Sequence, residues 1–275
     1  MVRGALVGLC AALLLVAAAG CGGGSDAANP TTTVRQLRQF RILFPEGFTR
    51  VQMGARAGAV AKIAVNESHR KVKISGRSYA AATAKQRVIA GFGSKKLPLE
   101  GFLFPDTYNF DRKTTAAQLV SVQLQEFTAK WSTLNLSYAR SKNLTPYDVL
   151  TIASMIEKEA VAPADRAKVA RVIYNRLHLG MTLGIDATIR YALHIPGTKS
   201  LTQSELTNPT PYNTRLHAGL PPTPIANPGL ASMQAAADPA KGPWLYFVAE
   251  PDKVHTFFTA SAQAFENYKA THGYG

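Results

Sequence analysis

The run Thr145-Pro146-Tyr147-Asp148, followed by a wide apolar arc, limits what this chain can fold into more than any other feature. Thr145 suits a helix N-cap, Pro146 the first helical position, and Asp148 takes the place where a capping box carries Glu or Gln. At roughly 100° per residue, Ile152, Ile156, Val149, Ala160, Ala153 and Leu150 follow one another around one arc. Such a helix must lie against a core. Glu157 falls inside the arc, between Ala153 and Leu150, whereas Glu159 falls at its edge beside Asp148. Desolvation raises a carboxyl's pKa and makes a glutamate a usable general acid near neutral pH, so periodicity favours Glu157 over Glu159. The same placement also suits a structural ion pair with Arg171 or Arg176, since buried charges are usually paired.

A core of that kind is within reach. The chain has 275 residues, 46% hydrophobic and 17% charged, which excludes wholesale disorder and allows one large domain or two ordinary ones without staples. Its formal charge of +14 is uneven. From Arg35 to Lys96 there are 14 basic residues and two acidic ones, Glu46 and Glu67, or 14 − 2 = +12, while Leu97 to Gly275 gives 16 − 14 = +2. A basic front can signal nucleic acid. The segment that precedes it argues against that partner.

Met1 to Gly20 carries one early charge, Arg3, then a short apolar stretch and small residues, the pattern of a secretory signal peptide. Ala18-Ala19-Gly20-Cys21 resembles a bacterial lipobox, with Ala18 where Leu is usual, and implies acylation of Cys21. The alternative is a retained single N-terminal transmembrane helix. Either way the chain is exported and held at a membrane. Under the lipid reading Cys10 leaves with the signal and Cys21 is capped, which excludes disulfides and cysteine catalysis. Residues 21–33 read as the lipidated Cys and a flexible tether.

An α+β fold is expected, in two parts. Residues 34–95 form a small basic α+β module: a strand at Phe40 to Phe44 ending in Pro45-Glu46-Gly47, a helix from Thr49 to about Lys62, a strand at Val72-Lys73-Ile74, and a helix from Ser78 to Val88. Residues 96–275 form a mixed, largely helical domain with short strands, including a long helix from Thr115 to Trp131.

Ile152-Ala-Ser-Met-Ile-Glu157-Lys-Glu159-Ala, Val169-Ala-Arg-Val-Ile-Tyr-Asn175-Arg176-Leu177 and Met181-Thr-Leu-Gly-Ile-Asp186-Ala-Thr-Ile189 resemble the central motifs of the YceG-like (MltG) endolytic murein transglycosylases. So do Leu99-Glu-Gly-Phe-Leu-Phe-Pro-Asp-Thr-Tyr108, Pro211-Tyr212-Asn213-Thr214, Gly219-Leu220-Pro221-Pro222, Ile225-Ala-Asn227-Pro228-Gly229, Leu245-Tyr246-Phe247-Val248 and His255-Thr-Phe257. The chain departs from the family pattern at Arg215, where Tyr is usual, at Thr223-Pro224 in place of Gly-Pro, and at Phe265-Glu266-Asn267, which lacks the usual Glu-His. The front part is similar to the family's LysM-like module.

The resemblance implies a lytic transglycosylase that cuts the β-1,4 bond between N-acetylmuramic acid and N-acetylglucosamine without water, leaving 1,6-anhydro ends. It implies Glu157 as the catalytic acid and then base, a place in terminating nascent glycan strands, and peptidoglycan synthases as partners. Glu159, Asn175, Arg176, Asp186, Tyr212, Asn213, Thr214 and His255 are candidate substrate contacts, and each has a competing structural role, such as Asp186 capping the helix that follows it. A muramidase-type hydrolase using Glu157 with Glu159, Asp186 or Glu100 remains open, as does a non-catalytic wall-binding lipoprotein. No phosphate loop, His-Glu-x-x-His or Cys-x-x-Cys spacing occurs, so no metal, nucleotide or other cofactor is expected.

Overall fold

Capping chemistry sets where most helices begin. The side chains of Thr49, Ser75, Thr115 and Thr145 each accept a hydrogen bond from the backbone N–H three residues on, and the backbone N–H of each donates to the side chain there, closing four capping boxes. They open α1 (Arg50–Ser68), α2 (Gly76–Ala84), α3 (Ala116–Trp131) and α5 (Pro146–Glu159), with the short α4 (Ser137–Ser141) before the last. Then come α6 (Arg166–His178), α7 (Asp186–Ala192), α8 (Gln203–Leu206), α9 (Leu230–Ala237) and α10 (Ala262–His272). The strands are β1 (Phe40–Leu43), β2 (Thr107–Phe110), β3 (Tyr246–Ala249) and β4 (Thr256–Thr259). The fold is mixed α and β, mostly helical, as expected.

This computed structural model describes residues 37–160, 162–252 and 255–273. The expected signal peptide, Cys21 and the tether lie outside the described residues. Among the described residues no helix is long and apolar enough to cross a membrane.

Three local expectations need correction. The helix after Thr49 continues past Lys62 to Ser68, because Met53, Ala57, Ala61 and Ala64 keep one buried stripe running until His69 turns left-handed at φ 53°. Val72-Lys73-Ile74 alternates but forms no strand; Ile74 is buried, and the Lys73 N–H donates to the Arg112 carbonyl across a loop. The next helix starts at Gly76, not Ser78, because Ser75 supplies the cap. Gly76 also lets α1 and α2 approach closely: a Cβ there would stand 3.0 Å from the Gly54 carbonyl oxygen.

β1 pairs antiparallel with β2, Phe40 opposite Phe110 and Leu43 opposite Thr107, so a strand from residues 34–95 is completed by one from residues 96–275. All described residues fall within one compact unit, Leu37–Gly275. β3 and β4 form a second antiparallel pair near the C-terminal end.

At the centre lies α5, packed against α9, α6 and α7. Every residue from Val149 to Ile156 is buried, Thr151 and Ser154 included, so the helix is covered all round over two turns and not along one arc alone. The two hydroxyls are satisfied locally: Thr151 donates to the Tyr147 carbonyl and Ser154 to that of Thr151, while Ser154 Oγ accepts the Ile225 N–H. Full burial of Leu150, Ile152 and Met155 is worth roughly 1.5–3 kcal/mol each. Rings of Phe92, Phe102, Phe127 and Trp131 stack and abut at 4.8–5.8 Å on the side toward α3.

Candidate active site

One fully buried side chain, Asn227, draws three distant stretches to the C-terminal end of α5. Its Oδ1 accepts the N–H groups of Gly101 and Leu103, and its Nδ2 donates to the Phe48 carbonyl and to Glu100 Oε1. Its backbone N–H donates to the Phe48 carbonyl, and its carbonyl accepts the Gly47 N–H at 2.9 Å. The Asn227 amide therefore uses both its acceptor and its donor capacity inside the protein. The N-cap of α9 is Gly229.

That junction places the Pro45-Glu46-Gly47 turn and the N-terminus of α9 beside Glu157. The Gly229 N–H donates to Glu157 Oε2 at 3.0 Å, a charge-assisted bond at the positive end of a helix. A Cβ on Gly47 would lie 3.5 Å from Glu157 Cγ, so the turn covers the stem of the side chain. Lys158 Nζ reaches the Gly47 carbonyl at 3.4 Å and closes the turn from the other side. Glu157 remains half-exposed and keeps Oε1 free of hydrogen bonds among the described residues.

Glu157 and Glu159 are both partly buried, and desolvation acts on the Glu159 carboxyl. Burial pushes the Glu159 carboxyl up to about 7, helped by the nearby charge of Asp186 and opposed by the Ala187 N–H, Arg190 and Lys158. Helical periodicity gave the direction of each side chain but not what covers it. Over the last turn of α5 the start of α7 lies against Glu159, and the Gly47 turn and Gly229 lie against Glu157.

Glu100 is the other deeply placed acid, 4% exposed. It accepts from the Arg50 N–H, from Asn227 Nδ2 and from the Tyr191 hydroxyl, and burial still pushes it up to about 7.

The remaining candidates mostly hold the chain together. Asn175 Nδ2 donates to the Gly242 and Trp244 carbonyls, and Arg176 donates to the carbonyls of Leu245, Thr182 and Leu183, not to Glu159 or Glu157. Asn213 is buried and ties the Leu206 and Asn208 carbonyls to the Arg215 N–H. Thr214 bonds to Ile185 and Thr188. Asp186 is the first residue of α7 and not its cap, a position that falls to Ile185; its carboxylate pairs with Arg215 at 2.6 Å. Tyr212 stacks obliquely on Tyr191 and shares a hydrogen bond with Thr223. His255 precedes β4 in an exposed turn, where Asp252 raises its pKa by hydrogen bonding and charge.

Glu46 and Gly229 escaped the sequence reading as site residues. One signal pointed to Glu46: it is one of two acids in a stretch of net charge +12. Elsewhere, a cavity of about 520 Å3 lies beside α4 and α6, lined by Tyr138, Lys142, Arg171 and His178 among others. Its lining includes no carboxylate.

A mostly helical α and β fold with a glutamate seated on a helix N-terminus and roofed by a glycine turn is the setting in which family membership can be judged. The chain belongs to the YceG-like family, whose profile matches residues 25–271. It is similar to the endolytic murein transglycosylase of Bacillus subtilis, 40% identical over 156 residues, which are 56% of this chain and 43% of that protein. It is also similar to the endolytic murein transglycosylase of Streptococcus pneumoniae R6, 34% identical over 178 residues, 63% of this chain and 32% of that one. The matched region thus spans less than half the length of either relative. A solved YceG-like protein from Listeria monocytogenes aligns with a TM-score of 0.64 at 31% identity, covering 82% of this chain and 75% of that chain.

Proposed function

We propose that this protein is an endolytic lytic transglycosylase of peptidoglycan, cleaving the MurNAc-β-1,4-GlcNAc bond with Glu157 as acid and then base. The observation that carries the reading is the setting of Glu157: half-exposed, with Oε2 held by the Gly229 N–H and Oε1 free of hydrogen bonds among the described residues. The family and the names of the two relatives supply the substrate class.

In this scheme protonated Glu157 gives its proton to the glycosidic oxygen as the bond to the muramoyl anomeric carbon breaks. The resulting carboxylate takes the proton of the muramoyl 6-hydroxyl while that oxygen bonds to the same carbon. One residue transfers both protons, and no water enters.

A hydrolase would need a second carboxylate as base or nucleophile. Glu100 is buried and hydrogen-bonded, Glu159 is held by the Ala187 N–H, and Asp186 is paired with Arg215, which speaks against these three in that role. Mass spectrometry of digested murein separates the readings. Wild type is expected to yield anhydromuramoyl ends and Glu157→Gln none; reducing ends would indicate a muramidase, and unchanged murein a wall-binding protein.

We extend the proposal to the setting of the reaction. The signal-like Met1 to Gly20 and acylated Cys21 would anchor the protein at the membrane facing the wall, a single transmembrane helix being the alternative. The basic front, read as LysM-like, would add up to about 1 kcal/mol per basic residue close to anionic headgroups. An enzyme so placed would meet glycan strands as synthases release them and could terminate their growth. Metabolic labelling with palmitate, in wild type and Cys21→Ala, tests the anchor.

A further inference from the structure

A second carboxylate stands at the same site without a structural reason to be there. Glu46 occupies the turn between β1 and α1, is exposed, and among the described residues makes no ion pair or hydrogen bond. Its carboxyl group packs onto the Cα of Gly229 so closely that a Cβ there would overlap it. Gly229 has φ −75°, a backbone conformation that any residue adopts, and a Cβ there would displace the carboxyl end of Glu46. The Gly229 N–H is bonded to Glu157. Two carboxylates therefore flank one glycine, one fixed by its amide and the other seated on its Cα.

Setting like charges side by side costs free energy, and the rest of the site does not remove that cost. Burial and the charge of Glu157 both raise the Glu46 pKa, with Arg166 on α6 opposing them. Arg166 is itself tied to Ser232 on α9, and Lys158 to the Gly47 carbonyl. The turn is held in place by the Gly47 N–H bond to Asn227, so the fold maintains the arrangement in spite of the repulsion.

We propose that Glu46 is a second catalytic carboxylate, facing the sugar ring and stabilising the positive charge that develops at the muramoyl anomeric carbon while Glu157 moves the protons. The inference rests on the reading of Glu157 given above. Glu46 exchanges no proton or bond with the substrate in this role, so the products are unchanged. A fixed charge aimed where charge develops acts on kcat more than on KM.

The test compares the full-length chain with Glu46→Gln, which keeps the shape against Gly229 and removes the charge. The expected result is a fall in kcat of about tenfold to a hundredfold, with KM changed less than about threefold, Tm unchanged and anhydro ends still formed. Because the Glu46 pKa is raised, wild-type activity should decline on the acid side at a higher pH than for a free glutamate, and Glu46→Gln should lack that limb. A Glu46→Gln enzyme with wild-type kcat and an unaltered pH profile overturns the proposal, as does a loss matched by a fall in Tm. Gly229→Ala supplies an independent arm: it should impair activity in wild type by displacing Glu46, yet add nothing in a Glu46→Ala background. Further loss in that background counts against the proposal. Glu157→Gln is run alongside; retained activity there sinks the transglycosylase assignment itself, whereas an inactive Glu157→Gln with a normal Glu46→Gln sinks only the role of Glu46.

Discussion

Two pairs of glutamates in this protein differ in what holds them. Glu100 is sunk in the core, bonded to Arg50, Asn227 and Tyr191, and raised to about 7 by burial; Glu159 is raised to about 7 beneath the start of α7. Glu157 and Glu46 lie at the opening, grouped around Gly229. A strongly perturbed carboxyl is a common pointer to an active site, but structural networks perturb pKa as well. Here the two most displaced glutamates are tied into the fold by hydrogen bonds, and the pair proposed to act on substrate is grouped at a helix N-terminus.

The largest effect that could break this division is at Glu157. Replacing it with Gln should lower the rate of anhydro-product formation by about 10²–10⁴, the usual contribution of a general acid, with Tm nearly unchanged. An equal loss from Glu100→Gln, with the fold intact, would erase the distinction between joint and acid.

Next comes the joint itself. Asn227→Ala strands the N–H groups of Gly101 and Leu103 in the core, while Glu100 Oε1 keeps its bond from the Arg50 N–H. Each orphaned buried group costs about 1–3 kcal/mol, so thermal unfolding should show a loss of roughly 3 kcal/mol or more. A much smaller shift would mean that the junction is looser than the hydrogen bonds indicate.

The buried acids should also leave a mark on the pH dependence of stability. The folded protein holds protons on Glu100 and Glu159 up to about pH 7, while the unfolded chain releases them near the ordinary glutamate value. The folded state thus binds more protons, and stability should fall as pH rises from about 4.5 through 7. Denaturant titrations at pH 5 and pH 8 measure the difference, and Glu100→Gln should flatten it. A slope of the opposite sign would refute the assignment of neutral, buried carboxyls.

The smallest effect belongs to the surface. Asp186 and Arg215 form a partly exposed pair, so Arg215→Ala should cost under about 1 kcal/mol in a thermal melt. The same substitution tests whether the chain's departure from the family's usual Tyr at this position matters for activity.

What could be read beforehand follows from this same contrast. The capping boxes at Thr49, Thr115 and Thr145 were legible because the signal lies within four residues, and the core position of α5 was legible because its periodicity is local. Glu157 was singled out for desolvation of its carboxyl, and Glu159 is the glutamate of this helix that desolvation raises. Helical direction is a property of one element; cover is a property of two, and the cover over α5 comes from residues 45–47, 186–187 and 229. Glu46 looked like the polar tip of a turn, and Asn227 like a cap before a helix, since neither belongs to a periodic element. The partner of β1 was likewise hidden, because strand pairing across residues 43–107 leaves no local mark.

The Asn227 junction also sets when such a site can first exist. Its bond to the Phe48 carbonyl joins residues 179 positions apart, and the seat of Glu157 is complete only when Gly229 has arrived. Contacts of such long sequence separation form late, after the entropy of closing the intervening loop has been overcome. A chain still emerging from a ribosome or a translocation channel holds Glu157 long before it holds the amide that orients it. The seat of Glu157 therefore forms only with completion of the fold, a delay written into topology.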